Sequence, residues 1–167
     1  MEVSVIIPNF NGIAFLDSVL GSLEGQTLKN FEVILVDNGS ADGSCSFVSA
    51  NYPWVHIIEL PDNFGFCRAV NEGIKAAKAP YVLLLNNDTE VITKGWMKEL
   101  LSHCQRPEVG MVGAKLYFPD NTIQSAGTII GMGGMADHAF VNMDRKKSGY
   151  MHRASIQVDM SGVTAAC

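Results

Sequence analysis

Four polar clusters in the first half of the chain each follow a short apolar run: Pro8-Asn9-Phe10-Asn11-Gly12, Asp37-Asn38-Gly39-Ser40, Pro61-Asp62-Asn63-Phe64-Gly65 and Asn86-Asn87-Asp88-Thr89-Glu90. Asn, Asp and Gly are ordinary turn residues, so turn chemistry accounts for any one cluster alone. It does not account for four in strict order, three of them carrying an acid. If the apolar runs are parallel strands, their carboxyl ends lie on one edge, where open α/β sheets bind ligands. The clusters then line one polar crevice. A helix opening after such a cluster adds free N–H groups suited to an anion.

Other chemistries lack their residues. No G-x-G-x-x-G follows the first run, and no G-x-x-x-x-G-K-[ST] or G-x-S-x-G occurs, which disfavours a classical dinucleotide site, a P-loop and a hydrolase elbow. His56, His103, His138 and His152 are not spaced as a metal pair. Cys45, Cys67, Cys104 and Cys167 form no C-x-x-C, so neither a zinc site nor a disulfide framework is expected. They read as buried or idle thiols in a reducing compartment.

The elements that must position the clusters alternate. Val3-Ser4-Val5-Ile6-Ile7 is a β-branched run that Pro8 should stop. Asn11 is placed to cap a following helix, with Phe15, Val19 and Leu23 at i+4 spacing beside Leu16 and Leu20. A second strand over 31–36, a helix capped by Asp42, and a third strand over 55–60 follow. A helix with the stripe Phe66, Val70, Ile74 and Ala77 precedes a fourth strand over 81–85, continuous in the manner of a strand buried on both faces. This order means α/β with a parallel sheet and right-handed crossovers. Residues 96–104 read as a helix, and 109–118 and 123–130 as strands around an Asp120-Asn121 turn. Segments 131–134 and 144–149 read as mobile loop, and 156–160 as a return to the sheet.

Composition bounds the rest. The chain has 167 residues, 47% hydrophobic and 17% charged, with a net charge of −5. That is one domain's length with a real core, and neither disordered nor fibrous. The acidic balance argues against broad binding to nucleic acid. The longest apolar runs fall far short of the roughly 20 residues that cross a bilayer, and the first eight residues lack the pattern of a signal peptide.

Taken together, Val5-Ile6-Ile7-Pro8-Asn9-Phe10-Asn11, Val36-Asp37-Asn38-Gly39-Ser40, Asn63-Phe64-Gly65-Phe66 and Leu84-Leu85-Asn86-Asn87-Asp88-Thr89 resemble family-2 glycosyltransferases. The resemblance is close over residues 1 to about 118 and looser beyond. It implies the GT-A nucleotide-sugar fold: three-layer and Rossmann-like, a mostly parallel sheet flanked by helices, here incomplete at the C-terminus. Residues 1–118 would be the donor-binding region and 119–167 the start of the acceptor side. Asn86-Asn87-Asp88-Thr89 and Ser125-Ala126-Gly127 look most like the bacterial rhamnosyltransferase branch.

The resemblance also implies roles. Asp37 would accept the N3–H of uracil or thymine. Pro8, Asn9 and Phe10 would wall the nucleotide slot. Asn63 and Gly65 precede a helix whose N–H groups would face the diphosphate, with Arg68 the cation near that end; Asn63 can equally be a cap. Asp88 stands where the family's Asp-x-Asp-like motif has its last acid, the expected ligand of Mg²⁺ or Mn²⁺ on the donor diphosphate. Asn86 replaces an acid there and could bond the ribose or a metal-bound water, with Asn87 beside it. Such a metal would stabilise the leaving nucleoside diphosphate of a UDP- or dTDP-linked sugar.

Inverting transfer needs a base for the acceptor hydroxyl. The family's base follows a small-residue motif that Ser161-Gly162-Val163-Thr164-Ala165-Ala166 resembles the start of, and Asp120, Asp137, Asp144 and Asp159 do not match it. No catalytic base is therefore named. The expectation is a donor-binding half with weak or no transfer alone, its apolar end open to self-association. The alternative is a non-catalytic nucleotide-sugar-binding module. An unrelated nucleotidyl-transfer protein would show a Gly-rich basic segment after the first strand, which Pro8-Asn9-Phe10-Asn11-Gly12 is not. The acceptor would be a glycan or a lipid-linked glycan. Since such donors are cytosolic, the expected location is cytoplasmic, at the inner membrane face for a lipid acceptor.

Overall fold

A computed structural model describes residues 1–167, which divide into two compact units, Met1–Leu101 with Ala166 and Ser102–Ala165 with Cys167. The sequence reading put the division after residue 118. Residues 102–118 group with the second unit, where their short strand pairs with Ile123–Ser125 and not with the parallel sheet.

In the first unit the order is β1 (Val3–Asn9), α1 (Ile13–Glu24), β2 (Phe31–Asp37), α2 (Ser44–Asn51), β3 (His56–Glu59), α3 (Phe66–Ala76) and β4 (Tyr81–Leu84), with α4 (Trp96–Cys104) running on into the second. The four strands form one parallel sheet in the order β3-β2-β1-β4. The first two crossovers step to one side of β1 and the third steps to the other. Right-handed crossovers therefore put α1 and α2 on one face and α3 on the opposite one. The stepping direction reverses between β1 and β4, which makes their carboxyl ends the switch point of the sheet.

Strand alternation splits the core accordingly. Ile6, Ile34 and Val36 are fully buried with Ala69 of α3, and Ile58, Leu60, Ala76, Ala77 and Leu84 pack around them. Val5, Ile7, Val33 and Leu35, the alternate residues, are buried too. At Gly73 an added Cβ would lie 2.4 Å from Ile6 Cγ2, so α3 lies close on the sheet.

Several local expectations are corrected. Pro8 does not stop β1; it pairs opposite Val36 inside it. The Ile6 carbonyl accepts from Leu85 on the β4 side and the Asn9 carbonyl accepts from Asn38 on the β2 side. Alternation therefore turns Pro8, with no N–H to offer, toward β4 beyond the last residue paired there, Ile6. β4 is an edge strand with Val82 42% exposed, so it is not buried on both faces. In α1 the buried stripe is Leu16, Val19, Leu20 and Leu23, with Phe15 exposed. In α3 it is Ala69, Val70 and Gly73, with Phe66 and Ile74 exposed.

Asn11 does not cap α1. It adopts a left-handed φ of 49°, and its Oδ1 accepts from Ala41 N–H. The cap comes from Asp42, whose Oδ2 accepts from Ile13 N–H at 2.9 Å while its Oδ1 accepts from Ser44 N–H and Oγ at 3.0 and 2.6 Å. One carboxylate thus serves the starts of two helices. Burial works against its charge, but the bonds from Ser44 and Ile13 prevail and hold Asp42 below its ordinary value. The lowered value means stability present above the ordinary aspartate range and lost as pH falls through the folded-state value. Asp42→Ala should cost roughly 0.5–2 kcal/mol in urea denaturation, as a lost N-cap does, and should flatten the acid limb of stability against pH.

The second unit holds two small antiparallel pairs, β5 (Leu116–Tyr117) with β6 (Ile123–Ser125) and β7 (Thr128–Ile130) with β8 (Ala136–His138). The expected strand over 109–118 shrinks to two residues. The one over 123–130 breaks at Gly127, whose φ is +94° and whose missing side chain leaves room for Met160. Within 131–134, Met132–Gly134 form the 3₁₀ turn of the β7–β8 hairpin, and Asp144 bridges to Thr122. Residues 156–160 do not return to a sheet. Val163 packs on Gly113, and the Gly162 carbonyl accepts from Thr128 N–H. Cys167 is buried, and no large apolar side chain is exposed between 161 and 167.

Candidate nucleotide-sugar site

The carboxyl ends of β1, β2 and β4 are joined by side chains. At the end of β1, Asn9 is 2% exposed; its Nδ2 donates to Asp37 Oδ1 at 2.9 Å and to Ser40 Oγ at 3.3 Å, and its Oδ1 accepts from Asn87 Nδ2 at 2.8 Å. Asp37, at the end of β2 and equally buried, also accepts at Oδ2 from Ser40 N–H at 2.9 Å. Ser40 Oγ accepts from Asn11 N–H at 2.8 Å. The amide pair of Asn9 and Asn87 thus spans the switch point just where the Pro8 gap ends the backbone ladder. The Gly12 backbone lies against that pair: an added Cβ would fall 2.1 Å from Asn87 Nδ2 and 2.4 Å from Asn9 Oδ1.

A second set of bonds ties β2 to the loop before α3. Asn38 Nδ2 donates to Asn63 Oδ1 at 2.8 Å, and Asn38 Oδ1 accepts from Phe64 N–H at 3.0 Å. Asn63 Oδ1 also accepts from Gly65 N–H at 2.9 Å. Gly65 precedes α3 with a φ of +84° and no side-chain cap, and Asn63 caps no helical residue. The Arg68 guanidinium stacks 4.0 Å from the centroid of the Phe64 ring, which holds it beside the first turn of α3.

After β4, Asn86 N–H donates to the Ala166 carbonyl, and Asn86 Oδ1 is buried with no hydrogen-bond partner. Asp88 is exposed two residues on. No group of three or more His, Cys, Asp or Glu side chains is clustered as a metal cage. Phe10 stands 47% exposed past the end of β1.

The structure therefore gathers Asn9, Asp37 and Asn87 into one bonded cluster and attaches Asn63 to β2. Pro8, Phe10, Gly65, Arg68, Asn86 and Asp88 lie along the same edge without entering that cluster. Asn38, Ser40, Asp42 and Gly12 went unnamed as positioning residues. Their signal was their place inside the turn clusters, but sequence does not say which turn amide bonds across strands. All four thiols are free, with Cys167 buried and Cys67 exposed. The Cys45 thiol is pushed up to about 12, first by burial and then by the charges of Asp37 and Glu59.

An open parallel sheet with polar groups gathered at its switch point is the architecture of ligand-binding doubly wound α/β proteins. The profile of Glycosyl transferase family 2 matches residues 4–158, and the chain belongs to that family. It is 36% identical over 170 residues to the uncharacterized protein y4gI of Sinorhizobium fredii, covering 99% of this chain. It is 38% identical over 142 residues to the O-antigen biosynthesis protein RfbC of Myxococcus xanthus, covering 83% of this chain. The chain spans 19% and 11% of the lengths of those two relatives. Among solved structures, S. aureus TarS 1-349 in complex with UDP is 28% identical, with a TM-score of 0.57 over 62% of this chain and 32% of that one. The mannosyltransferase PcManGT of Pyrobaculum calidifontis, solved with GDP-Man and Mn2+, shares the fold with a TM-score of 0.65 over 72% of this chain and 36% of that one, at 23% identity. The fold is of the GT-A type, as the resemblance implied.

Proposed function

We propose that this chain carries the donor-binding part of an inverting glycosyltransferase that uses a UDP- or dTDP-linked sugar. The observation that carries the reading is the bonded cluster at the switch point. A carboxylate has about four acceptor positions, and Asn9 and Ser40 occupy one on each oxygen of Asp37. The remaining acceptors suit the N3–H of uracil or thymine. Cytosine, with no hydrogen at N3, is disfavoured. The UDP held by TarS supports the same ligand class here.

Phe10 and Pro8 would flank the base, and Arg68 with the first turn of α3 would meet the diphosphate. Asp88 and the unpartnered Asn86 Oδ1 are suited to Mg²⁺ or Mn²⁺, two oxygen ligands that donor oxygens would complete. When bound, that ion supplies positive charge against the leaving diphosphate. No residue of this chain is assigned as the base. Rhamnose is the sugar that the Asn86-Asn87-Asp88-Thr89 and Ser125-Ala126-Gly127 resemblance favours. The likeness to RfbC, an O-antigen biosynthesis protein, supports a glycan or lipid-linked acceptor, met at the cytoplasmic membrane face.

Calorimetric titration with UDP, dTDP and CDP, with and without Mn²⁺, tests the reading. UDP and dTDP should bind, CDP at least tenfold more weakly. Asp88→Ala should remove the gain that Mn²⁺ gives. A folded chain that binds neither UDP nor dTDP at millimolar concentration would overturn it.

A further inference from the structure

Asn9 does not present its side chain to solvent, at 2% exposed. Three of the four hydrogen-bonding positions of its carboxamide are filled: Asp37 and Ser40 take the two hydrogens of Nδ2, and Asn87 donates to Oδ1. The amide has one workable orientation. Flipped, it would turn its oxygen onto the Asp37 carboxylate and its NH₂ onto the Asn87 NH₂, two repulsive contacts in place of two bonds. Gly12 closes over the pair, since no larger residue leaves room for the Asn9–Asn87 bond.

We propose that Asn9 is a positioning residue that locks the base-reading carboxylate of Asp37 to the 86–88 segment, so that the two ends of the donor are read in one fixed register. This rests on the donor-binding reading above and assigns the Asn9 side chain a role separate from contact with the nucleotide. Without it, Asp37 Oδ1 loses the partner that aims its free acceptors, and Asn87 Nδ2 loses the acceptor Asn9 Oδ1. A buried amide that merely filled space would affect folding and leave base preference alone.

The test measures the ratio of CDP to UDP dissociation constants for the intact chain, Asn9→Ala and Asn87→Ala, with Mn²⁺ present and folding checked by circular dichroism. In the intact chain the ratio should be tenfold or more. In Asn9→Ala it should fall at least threefold, and adding Asn9→Ala to Asp37→Ala should weaken UDP binding by less than twofold further. Asn87→Ala should lower the ratio in the same direction, because Asn87 fixes the amide's orientation from the far end. If Asn9→Ala does not fold, Asn87→Ala decides the question alone. An unchanged ratio in the folded variants would overturn the positioning role while leaving the donor reading intact. An intact chain that binds neither nucleotide would overturn both.

Discussion

Asp37→Ala should weaken UDP binding about 10- to 100-fold, since a hydrogen bond to a charged group is worth roughly 1.5–3 kcal/mol and tenfold is about 1.4 kcal/mol. It should also destabilise the fold. The Asn9 Nδ2 that donates to Asp37 Oδ1 is buried, and removing the acceptor leaves it a single long bond to Ser40 Oγ at 3.3 Å. An under-satisfied buried donor costs about 1–3 kcal/mol. Asp37→Asn separates the two effects poorly, because its NH₂ must face a donor, either Asn9 Nδ2 or Ser40 N–H. The informative comparison is Asp37→Ala against Asp88→Ala, by UDP titration and urea denaturation. Asp88 is exposed and has no place in the buried cluster, so its loss should reduce metal-assisted binding with stability unchanged. Equal loss of stability in the two variants would refute the division of labour.

Gly39→Ala should be the most damaging single-methyl change in the first unit. Its backbone sits at a φ of +79°, and the new Cβ would lie 2.7 and 2.8 Å from the carbonyl carbon and Cα of Asp62. Those are backbone atoms and cannot swing aside. Left-handed backbone costs an L-residue roughly 1–2 kcal/mol, and forcing rigid neighbours apart costs roughly 1–3 more. For a chain of this size each kcal/mol lowers Tm by about 2–4 °C, so a fall of roughly 5–15 °C is expected by the same scale. The displaced segment is the loop that carries Asn63, so the Asn38–Asn63 bond should fail with it. Gly110→Ala, with open space around it and no positive φ, is the control and should melt with the parent. Similar melting points for the two variants would mean that the 39–62 contact gives easily.

The parallel sheet was legible because its strands are apolar runs broken by turn clusters at every exit, and α4 was read to the residue, Trp96–Cys104. Family membership followed from the order of those clusters. What could not be read was which side of a helix faces the sheet. Phe15, Phe66 and Ile74 look like core residues by type, yet the close approach at Gly73 rotates α3 toward its small residues. Nor could the second unit be read well. Its strands are two or three residues long and are fixed by tertiary partners such as Met160 against Gly127, which no local period encodes. In the site, residue types announced a polar edge. The pairing of Asn9 with Asn87, distant in sequence, depends on β1 and β4 being neighbours. That adjacency is topology, and a turn cluster does not reveal it.

The central place of β1 has a consequence for how the chain is made. Val3 takes Phe31 as one neighbour and Tyr81 as the other. As the polypeptide leaves the ribosome, β1 can pair with β2 early, but its other edge, with Val3, Val5 and Ile6, stays open until β4 emerges. Closing that long loop is entropically expensive and slow, and an open apolar edge is the feature that invites association with other nascent chains. The last of the four strands to be synthesised is the one that completes the burial of the first, so the sheet is committed only once residue 84 is available. The same event delivers Asn87 to Asn9, so the polar cluster can assemble only at the end of this co-translational sequence.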